Sequence, residues 1–299
     1  PTWVRRCATL AVVSLQQRLN AVVRRTTGYV LTRPEPDDRG ERPAKRARQR
    51  ADAQDRGSQE PAGGTGLPRH FDAEKRRIIG QVRDRTMTTP PKLGALIDGM
   101  RYIAAHRIEG DIVECGVWRG GSMQAMALTL ISVGDVSRSL HLFDTFEGMP
   151  PPAEEDARTR AGVVTSAAEL LEASDRTSKV WAAASLEDVQ QGMAETGYPA
   201  ELVHYHPGLV EETTPHEAPE RIAILRLDTD WYSSTRHELR ELYPRLSPGG
   251  RRLIDDYHAW DGAKQAVDEW LAETGEPLFM APMGAGLIAV KPPHPSSPT

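Results

Sequence analysis

Apolar residues from about His70 onward alternate between strand-like runs and helix-like spacing. Short apolar runs predict five strands, at residues 111–115, 140–143, 202–205, 222–227 and 252–254. Apolar positions three and four apart predict helices at residues 93–104, 123–131, 168–173, 185–196 and 263–271, and a capping-box pattern at 235–238 predicts the start of another. The last apolar segments, 278–280 and 287–290, predict a hairpin. We therefore expect an α/β fold, a doubly wound and mostly parallel sheet with a C-terminal antiparallel hairpin.

The first 70 residues follow a different pattern. Apolar residues between Leu10 and Tyr29 have helical spacing with interspersed arginines, which predicts an N-terminal amphipathic helix within residues 1–33. Residues 34–68 are rich in Pro, Gly and Arg and nearly lack large apolar side chains, so they bury too little surface to offset the entropy of ordering. We expect a flexible basic linker at 34–68 and a globular domain at 69–299.

The two regions differ in charge. Residues 1–70 carry 14 Lys and Arg against 7 Asp and Glu, whereas the rest of the 299 residues carry 23 against 35. A basic run is typical of nucleic-acid binding, but acidic residues interrupt this one and no aromatic residue lies among its cations. We favour a solvated linker and expect no nucleic-acid partner, with RNA binding as the alternative.

Cysteine content and hydropathy indicate the cellular environment of the protein. The two cysteines, Cys7 and Cys115, exclude a disulfide framework and a cysteine zinc cluster. No apolar run reaches the roughly 18–20 residues that a membrane helix needs. We therefore expect a cytoplasmic protein in a reducing environment, with no membrane partner.

Glycines and acids follow the first two predicted strands. Gly116 permits a tight turn, Gly120 and Gly121 permit close approach of a ligand, and Glu114 suits a ligand that carries an ammonium group. Trp118 stands where a dinucleotide-binding motif has its second glycine, which leaves little space for a pyrophosphate. Asp144 ends the second strand, where an acid commonly binds a ribose diol. Together these residues favour an adenosine ligand without a pyrophosphate, and S-adenosylmethionine fits.

Carboxylates follow two later strands. Asp228 ends the strand at 222–227, and Asp255 and Asp256 follow the next one. Neighbouring parallel strands would bring these three side chains together, where they repel one another unless protons or a cation relieve them. Oxygen ligands with room for water suit Mg²⁺ better than zinc. The alternative is that these acids cap helices or lie dispersed in solvent.

Four segments together resemble the macrocin O-methyltransferase family: VECGVWRGGS at 113–122, FDTFEGMP at 143–150, RLDTDWY at 226–232 and IDDY at 254–257. That family consists of S-adenosylmethionine- and Mg²⁺-dependent enzymes that methylate sugar hydroxyls of macrolides and related natural products. The resemblance covers about residues 75–290 and departs at the linker, which is longer and more basic than in the family. It also departs at Leu209, where an aromatic residue often follows the glycine.

The resemblance implies a class I methyltransferase (Rossmann-like) sheet and a role for each matching residue. Thr86 and Met87 would lie over the cofactor, and Asp144 would hold its ribose. The other implied cofactor contacts are Glu114, Gly116, Trp118 and Gly121 at the methionine part and Thr145, Phe146 and Ser185 at the adenine. Asp228, Asp255 and Asp256 would bind Mg²⁺ and leave coordination positions of the ion open for two oxygens of a substrate diol. Asp228 would also act as the base.

The resemblance further implies a glycosylated small-molecule acceptor, antibiotic biosynthesis and a homo-oligomer. A phenolic or catechol hydroxyl is an alternative acceptor, but relatives of that type carry a lysine three residues after the first metal-binding Asp, where this chain has Trp231. His258 and His141 are weaker candidates for the base. A catalytically silent scaffold is a further alternative, which the intact set of acids disfavours. The polar loop at 147–164 could be an acceptor-binding lid or a plain surface loop.

Overall fold

A computed structural model describes residues 67–276 and 278–292. The predicted N-terminal helix and nearly all of the predicted linker lie outside these residues. The described part of the chain forms eight α-helices: α1 (Ala73–Val82), α2 (Pro90–Ala105), α3 (Gly121–Val133), α4 (Ala167–Glu172), α5 (Leu186–Ala194), α6 (Val210–Glu217), α7 (Tyr232–Glu241) and α8 (Asp261–Thr274). Its strands are β1 (Asp111–Cys115), β2 (Leu140–Asp144), β3 (Ala157–Arg160), β4 (Val163–Ser166), β5 (Val203–Pro207), β6 (Ile222–Leu227), β7 (Leu246–Ile254), β8 (Met280–Met283) and β9 (Gly286–Val290).

Seven strands form one sheet in the order β5-β2-β1-β6-β7-β9-β8. The first five strands of this order are parallel, whereas β9 runs antiparallel to β7 and β8 antiparallel to β9. The chain builds outward from β1 in one direction and then, from β6, in the other, so the topological switch lies between β1 and β6. The predicted fold class, with its C-terminal antiparallel hairpin, is confirmed.

The two faces of the sheet pack against separate apolar cores. Ile112 of β1 packs in the core that contains α1, α2, α3 and α5, whereas the next residue, Val113, packs in the core that contains α7 and α8. Every residue of β6 is buried, because helices cover both faces of this central strand. Full burial of one such side chain stabilises the fold by about 1.5–3 kcal/mol. The paired cores thus hold the strand ends rigidly for the site above them.

Two local features differ from the sequence prediction. The prediction that a helix starts at the capping-box pattern of residues 235–238 is wrong, because α7 begins at Tyr232 and Thr235 lies buried within it. A side chain distant in sequence provides the cap instead, since the Tyr232 backbone N–H donates to Asp156 Oδ1 at 2.8 Å. The polar loop at 147–164 also contains β3 and enters β4, which pair antiparallel with each other. No alternation of apolar residues indicated this hairpin.

Within residues 67–276 and 278–292, no helix combines the length and apolar character that a bilayer span requires.

Candidate functional site

A cavity of about 570 Å³ opens at the carboxyl ends of β1, β2, β6 and β7, beside the topological switch. Ligands of doubly wound sheets bind at this position. Nine of the residues that the sequence nominated line its wall: Thr86, Met87, Gly116, Trp118, Asp144, Thr145, Asp228, Asp255 and Asp256. The folded chain therefore brings the residues that were predicted to bind an adenosine ligand and the acid cluster into one cavity.

The turn after β1 depends on a glycine. Gly116 has φ +79°, and a Cβ added to it would lie 2.1 Å from the backbone oxygen of Asp228. The Gly116 N–H donates to Phe143 O at 2.8 Å, and the Asp228 N–H donates to Cys115 O at 2.9 Å. These bonds join the ends of three neighbouring strands. Residue 116 must therefore be glycine because the end of β6 lies so close to it, and this requirement holds without a bound ligand.

Asp144 organises the same turn from the end of β2. Its Oδ2 accepts from the backbone N–H groups of Val117 at 2.7 Å and Trp118 at 3.1 Å, and its Oδ1 accepts from Phe146 N–H at 2.8 Å. Burial raises the pKa of Asp144 although these donors favour the carboxylate. Trp118 and Phe146 both adopt left-handed backbone, with φ 45° and 55°, which is uncommon for large side chains. The carboxylate thus holds a strained turn at the cavity wall.

Beneath the cavity floor lies an arginine that sequence reasoning missed. Arg226 is 1% exposed, and its Nη1 donates to Glu114 Oε1 at 2.5 Å and lies 2.7 Å from Asp228 Oδ2. Its Nη2 donates to Asp255 Oδ1 at 2.9 Å and to Thr88 Oγ1 at 2.8 Å. A lone arginine inside the apolar run IAILRL was the available signal, because a buried guanidinium requires acidic partners.

Glu114 is fully buried and is absent from the cavity wall. Burial raises its pKa to about 7, against the opposing effect of Arg226. One of its oxygens, Oε2, is buried and has no hydrogen-bond partner among the described residues. The structure therefore places Glu114 as the partner of Arg226, and its contact with a cofactor ammonium group stays a prediction.

Lys92 of α2 is a second residue that the sequence did not nominate. Its Nζ donates to Asp255 Oδ2 at 2.5 Å and to the Asp255 backbone oxygen at 2.9 Å. Both carboxylate oxygens of Asp255 are therefore bonded to cations. Burial would raise the pKa of Asp255, but the charges of Arg226 and Lys92 outweigh burial and hold this pKa below its usual range.

The acid cluster fits a divalent cation. One carboxylate oxygen from each of Asp228, Asp255 and Asp256 lies within 4.8 Å of the others. Burial raises the pKa values of Asp228 and Asp256 well above the usual range, and Asp256 Oδ2 is buried with no hydrogen-bond partner among the described residues. Together with Glu114 and Asp230, these groups make five acids against the two cations Arg226 and Lys92, so the charge balance of the site is negative when they are ionised. A divalent ion with oxygen ligands would relieve their mutual repulsion, and Mg²⁺ has this chemistry.

Asp230 is a further acid at the cavity wall that sequence reasoning did not assign. It has a left-handed backbone, φ 68°, and burial raises its pKa to about 7. Its signal was the Asp-x-Asp spacing with Asp228 after β6, which places both acids on the same short turn.

Four nominated residues lie away from the cavity wall, namely Glu114, Gly121, Phe146 and Ser185. A Cβ at Gly121 would lie 2.5 Å from the backbone oxygen of Arg85, so this glycine admits a neighbouring chain segment. Ser185 caps α5 by accepting from Asp188 N–H at 3.3 Å, and Phe146 packs in the apolar core. Their cofactor contacts stay predictions.

The side of the cavity beyond the acids is apolar and aromatic. Trp231 and Trp260 meet edge to face with ring centroids 5.0 Å apart, and Trp231 Nε1 donates to Pro150 O at 2.9 Å. Buried Asp156 accepts from Tyr232 N–H and from Ala153 N–H, each at 2.8 Å. These contacts attach the loop after β2 to the start of α7, so that it forms a wall of the cavity.

The two candidate histidines lie elsewhere. His258 is exposed and is not part of the cavity wall. His141 is buried in β2, where its Nδ1 lies 3.1 Å from Nε2 of His206. The structure brings neither side chain to the acid cluster.

A sheet of this order, with a glycine turn after its central strand and a carboxylate after the next, defines a class I methyltransferase-like α/β protein. A sequence profile described as Macrocin-O-methyltransferase (TylF) matches residues 37–281. The chain belongs to the macrocin O-methyltransferase family.

Curated relatives carry more specific names. The chain is 36% identical over 184 residues to 8-demethyl-8-(2,3-dimethoxy-alpha-L-rhamnosyl)-tetracenomycin-C 4'-O-methyltransferase of Streptomyces olivaceus, covering 60% of this chain and 66% of the relative. It is 35% identical over 164 residues to mycinamicin III 3''-O-methyltransferase of Micromonospora griseorubida, covering 54% and 61%. It is 33% identical over 171 residues to demethyldecarbamoylnovobiocin O-methyltransferase of Streptomyces niveus, covering 57% and 62%. The matches thus span less than two thirds of each relative.

Solved structures agree with this assignment. The O-methyltransferase NovP is 26% identical, with a TM-score of 0.61 over 83% of this chain and 100% of NovP. CalS11, described as a calicheamicin methyltransferase, is 17% identical, with a TM-score of 0.54 over 87% of this chain and 98% of CalS11, and it supports the fold alone.

Proposed function

We propose that this protein is an S-adenosylmethionine-dependent and Mg²⁺-dependent O-methyltransferase that methylates a sugar hydroxyl of a glycosylated small molecule in antibiotic biosynthesis. The observation that carries the proposal is one cavity that joins the Asp144 turn to the cluster of Asp228, Asp255 and Asp256. The names of the curated relatives, among them a mycinamicin 3''-O-methyltransferase, support a sugar acceptor.

The residues on the wall divide into a cofactor side and an acceptor side. Thr86, Met87, Gly116, Trp118 and Asp144 would hold S-adenosylmethionine, which supplies an electrophilic methyl group when bound. Thr145 lies on the same wall. Met87 is 46% exposed, so its apolar side chain is free to cover a ligand and exclude water from it. Asp144 already directs its oxygens toward the glycine turn, at the strand end where acids bind ribose hydroxyls.

The acid cluster would activate the acceptor. A sugar hydroxyl is far too weak an acid for a side-chain base at neutral pH, and Mg²⁺ held by Asp228, Asp255 and Asp256 would lower its pKa and orient it. Arg226 occupies Oδ2 of Asp228, which leaves Oδ1 to accept the hydroxyl proton. A base positioned in this way contributes about 10²–10⁴-fold to the rate. Lys92 is bonded to Asp255 through its ammonium group and is therefore a positioning residue.

A phenolic or catechol acceptor is the second candidate. The edge-to-face pair of Trp231 and Trp260 would accept an aromatic ring as readily as the apolar face of a sugar. The sugar is favoured because no lysine follows Asp228 at the spacing of the catechol-type enzymes, and Trp231 occupies that position with its ring 2% exposed.

A methyl-transfer screen tests the proposal. Purified protein is incubated with radiolabelled S-adenosylmethionine and paired acceptors, deoxysugar glycosides and catechols, in Mg²⁺ and in EDTA. We expect transfer to glycosides that EDTA abolishes and added Mg²⁺ restores. Full activity in EDTA would remove the metal from the mechanism, and transfer to catechols alone would favour the second candidate. We also propose a homo-oligomer, which light scattering of the same preparation tests.

A further inference from the structure

Arg158 of β3 occupies an unusual position on the acceptor side of the cavity. Its guanidinium carbon lies 4.3 Å from the centroid of the Trp260 ring, which is a cation–π contact. The side chain is partly buried and lines the cavity. A cation–π contact does not use the N–H donors of the guanidinium, and a planar or tetrahedral oxyanion can accept from them.

Arg158 has no acidic partner within residues 67–276 and 278–292, where its Nε is buried without a hydrogen bond. The other buried cations at the cavity, Lys92 and Arg226, are each paired with carboxylates. Asp230 and Asp256 attract the guanidinium through space but lie beyond ion-pair distance. Burying a cation without a partner is costly, so an unpaired guanidinium at a cavity wall indicates that its partner arrives with a ligand.

Two further positive side chains near Arg158 favour the binding of an anion. Arg160 lies two residues along β3, on the same face of the strand, and is itself free of ion pairs among the described residues. Burial and the charge of Arg160 lower the pKa of Arg158 and outweigh the opposing attraction of Asp230 and Asp256. Lys179 lines the same cavity from the segment after α4 and is exposed. Cations thus border the acceptor side from two chain segments.

Most of the other residues near these cations are apolar. Met149, Pro150, Leu170 and Val180 line the cavity there, and the acids that act on Arg158, Asp230 and Asp256, lie beyond ion-pair distance. A neutral glycoside would offer the Arg158 guanidinium only hydroxyl and ether oxygens, which accept hydrogen bonds but do not compensate its charge. We propose that Arg158, supported by Lys179, binds an anionic group of the acceptor, a phosphate or a carboxylate that is part of the same molecule as the methylated sugar. This specificity rests on the proposed sugar methylation.

Three acceptors that share one sugar separate the possibilities: the phenyl glycoside of L-rhamnose, its 4-carboxyphenyl glycoside, and the nucleoside diphosphate form of L-rhamnose. The phenyl and carboxyphenyl glycosides differ only in the anionic group. We expect kcat/KM to be about 10- to 100-fold higher for an anionic acceptor, which is the range of a charge-assisted hydrogen bond. Preference for the carboxyphenyl form identifies a carboxylate, and preference for the nucleotide form identifies a phosphate.

Substitutions assign that preference to Arg158. Arg158→Gln is expected to raise KM for the preferred anionic acceptor about 10-fold or more, to leave KM for the phenyl glycoside within about twofold, and to leave S-adenosylmethionine affinity unchanged. Lys179→Gln should act in the same direction with a smaller effect. Arg176→Gln is the matched control, because Arg176 also stacks on a tryptophan, Trp181 at 4.5 Å, but does not line the cavity.

The outcomes distinguish this inference from the proposed function. Equal kcat/KM for the three acceptors, or an equal loss in Arg158→Gln for charged and neutral acceptors, would overturn the anionic specificity while leaving sugar methylation intact. Absence of transfer to every sugar, with intact binding of S-adenosylmethionine by calorimetry, would instead contradict the proposed function itself.

Discussion

A Cβ at residue 116 would lie 2.1 Å from the backbone oxygen of Asp228, so the end of β1 and the end of β6 can approach only because residue 116 is glycine. The same approach places Asp228 beside the glycine turn and joins the cofactor side of the cavity to its acid cluster. A defect at Gly116 should therefore affect both sides of the site together.

Gly116→Ala is expected to lower the melting temperature and to abolish binding of S-adenosylmethionine, because a left-handed residue costs about 1–2 kcal/mol and the clash with Asp228 forces the strand ends apart. Differential scanning fluorimetry and calorimetry measure the two effects. Gly134→Ala is the control, since Gly134 has a similar φ, +74°, with nothing within 4 Å of an added Cβ. Similar losses in both variants would mean that strain alone, and not the approach of Asp228, explains the effect.

Arg226→Met should destabilise the protein by about 3–5 kcal/mol, because it leaves buried carboxylates without their cation. Urea unfolding without divalent cations measures the loss. The matched control is Arg252→Met, since Arg252 is equally buried but stacks on the ring of Trp270 at 4.8 Å. We further expect Mg²⁺ to stabilise Arg226→Met more than the wild type. If Mg²⁺ stabilised Arg226→Met and Arg252→Met equally, that result would contradict the charge balance described for the site.

Asp228→Asn should reduce turnover at least about 100-fold while leaving binding of S-adenosylmethionine largely intact, because the proposed mechanism makes this carboxylate the base and a metal ligand and gives it no contact with the cofactor. Initial rates and calorimetry on the same preparation measure both quantities. Asp268→Asn provides a control, since Asp268 of α8 accepts from Tyr257 Oη and does not line the cavity. Near-normal methylation by Asp228→Asn would remove this residue as the base.

Glu114 gives the wild type a specific pH dependence of stability. Burial raises its pKa from 4.5 to about 7, so the folded protein keeps a proton that the unfolded chain releases near pH 4.5. Stability is therefore lost as the pH rises through this window. We expect the stability of the wild type relative to Glu114→Gln to fall between pH 4.5 and 7, measured by urea unfolding in EDTA. A difference that is constant across these pH values would show that folding does not raise the pKa of Glu114.

Local sequence determined some elements and not others. The strands β1 and β6 were predicted to the residue, because each is a mostly apolar run that is bounded by glycine or by charged residues. The hairpin of β3 and β4 was missed because Val163 and Val164 lie exposed at its turn and no apolar face distinguishes it. Its position depends on contacts with distant residues, such as the bond of Thr159 Oγ1 to Asp261.

Some contacts of the site could likewise be predicted from the sequence, and others could not. The proximity of Asp228 to Asp255 and Asp256 followed from the rule that parallel strands end at one edge of a sheet, and the structure confirms that proximity. Lys92 could not be anticipated, because it reaches Asp255 from α2 across 163 positions of sequence. Such a contact is set by how a helix packs on the sheet, which no local pattern records.

Asp156 attaches the segment that follows β2 to the starts of two helices, since it caps α7 and a Cβ at Gly262 of α8 would lie 2.3 Å from its Oδ1. The hairpin of β3 and β4 begins directly after this anchor and carries Arg158. On the proposed function, exchange of the hairpin sequence would change acceptor preference while the anchor and the methyl-transfer chemistry stay the same. Grafting residues 157–166 between members of the family would then alter which sugar is methylated.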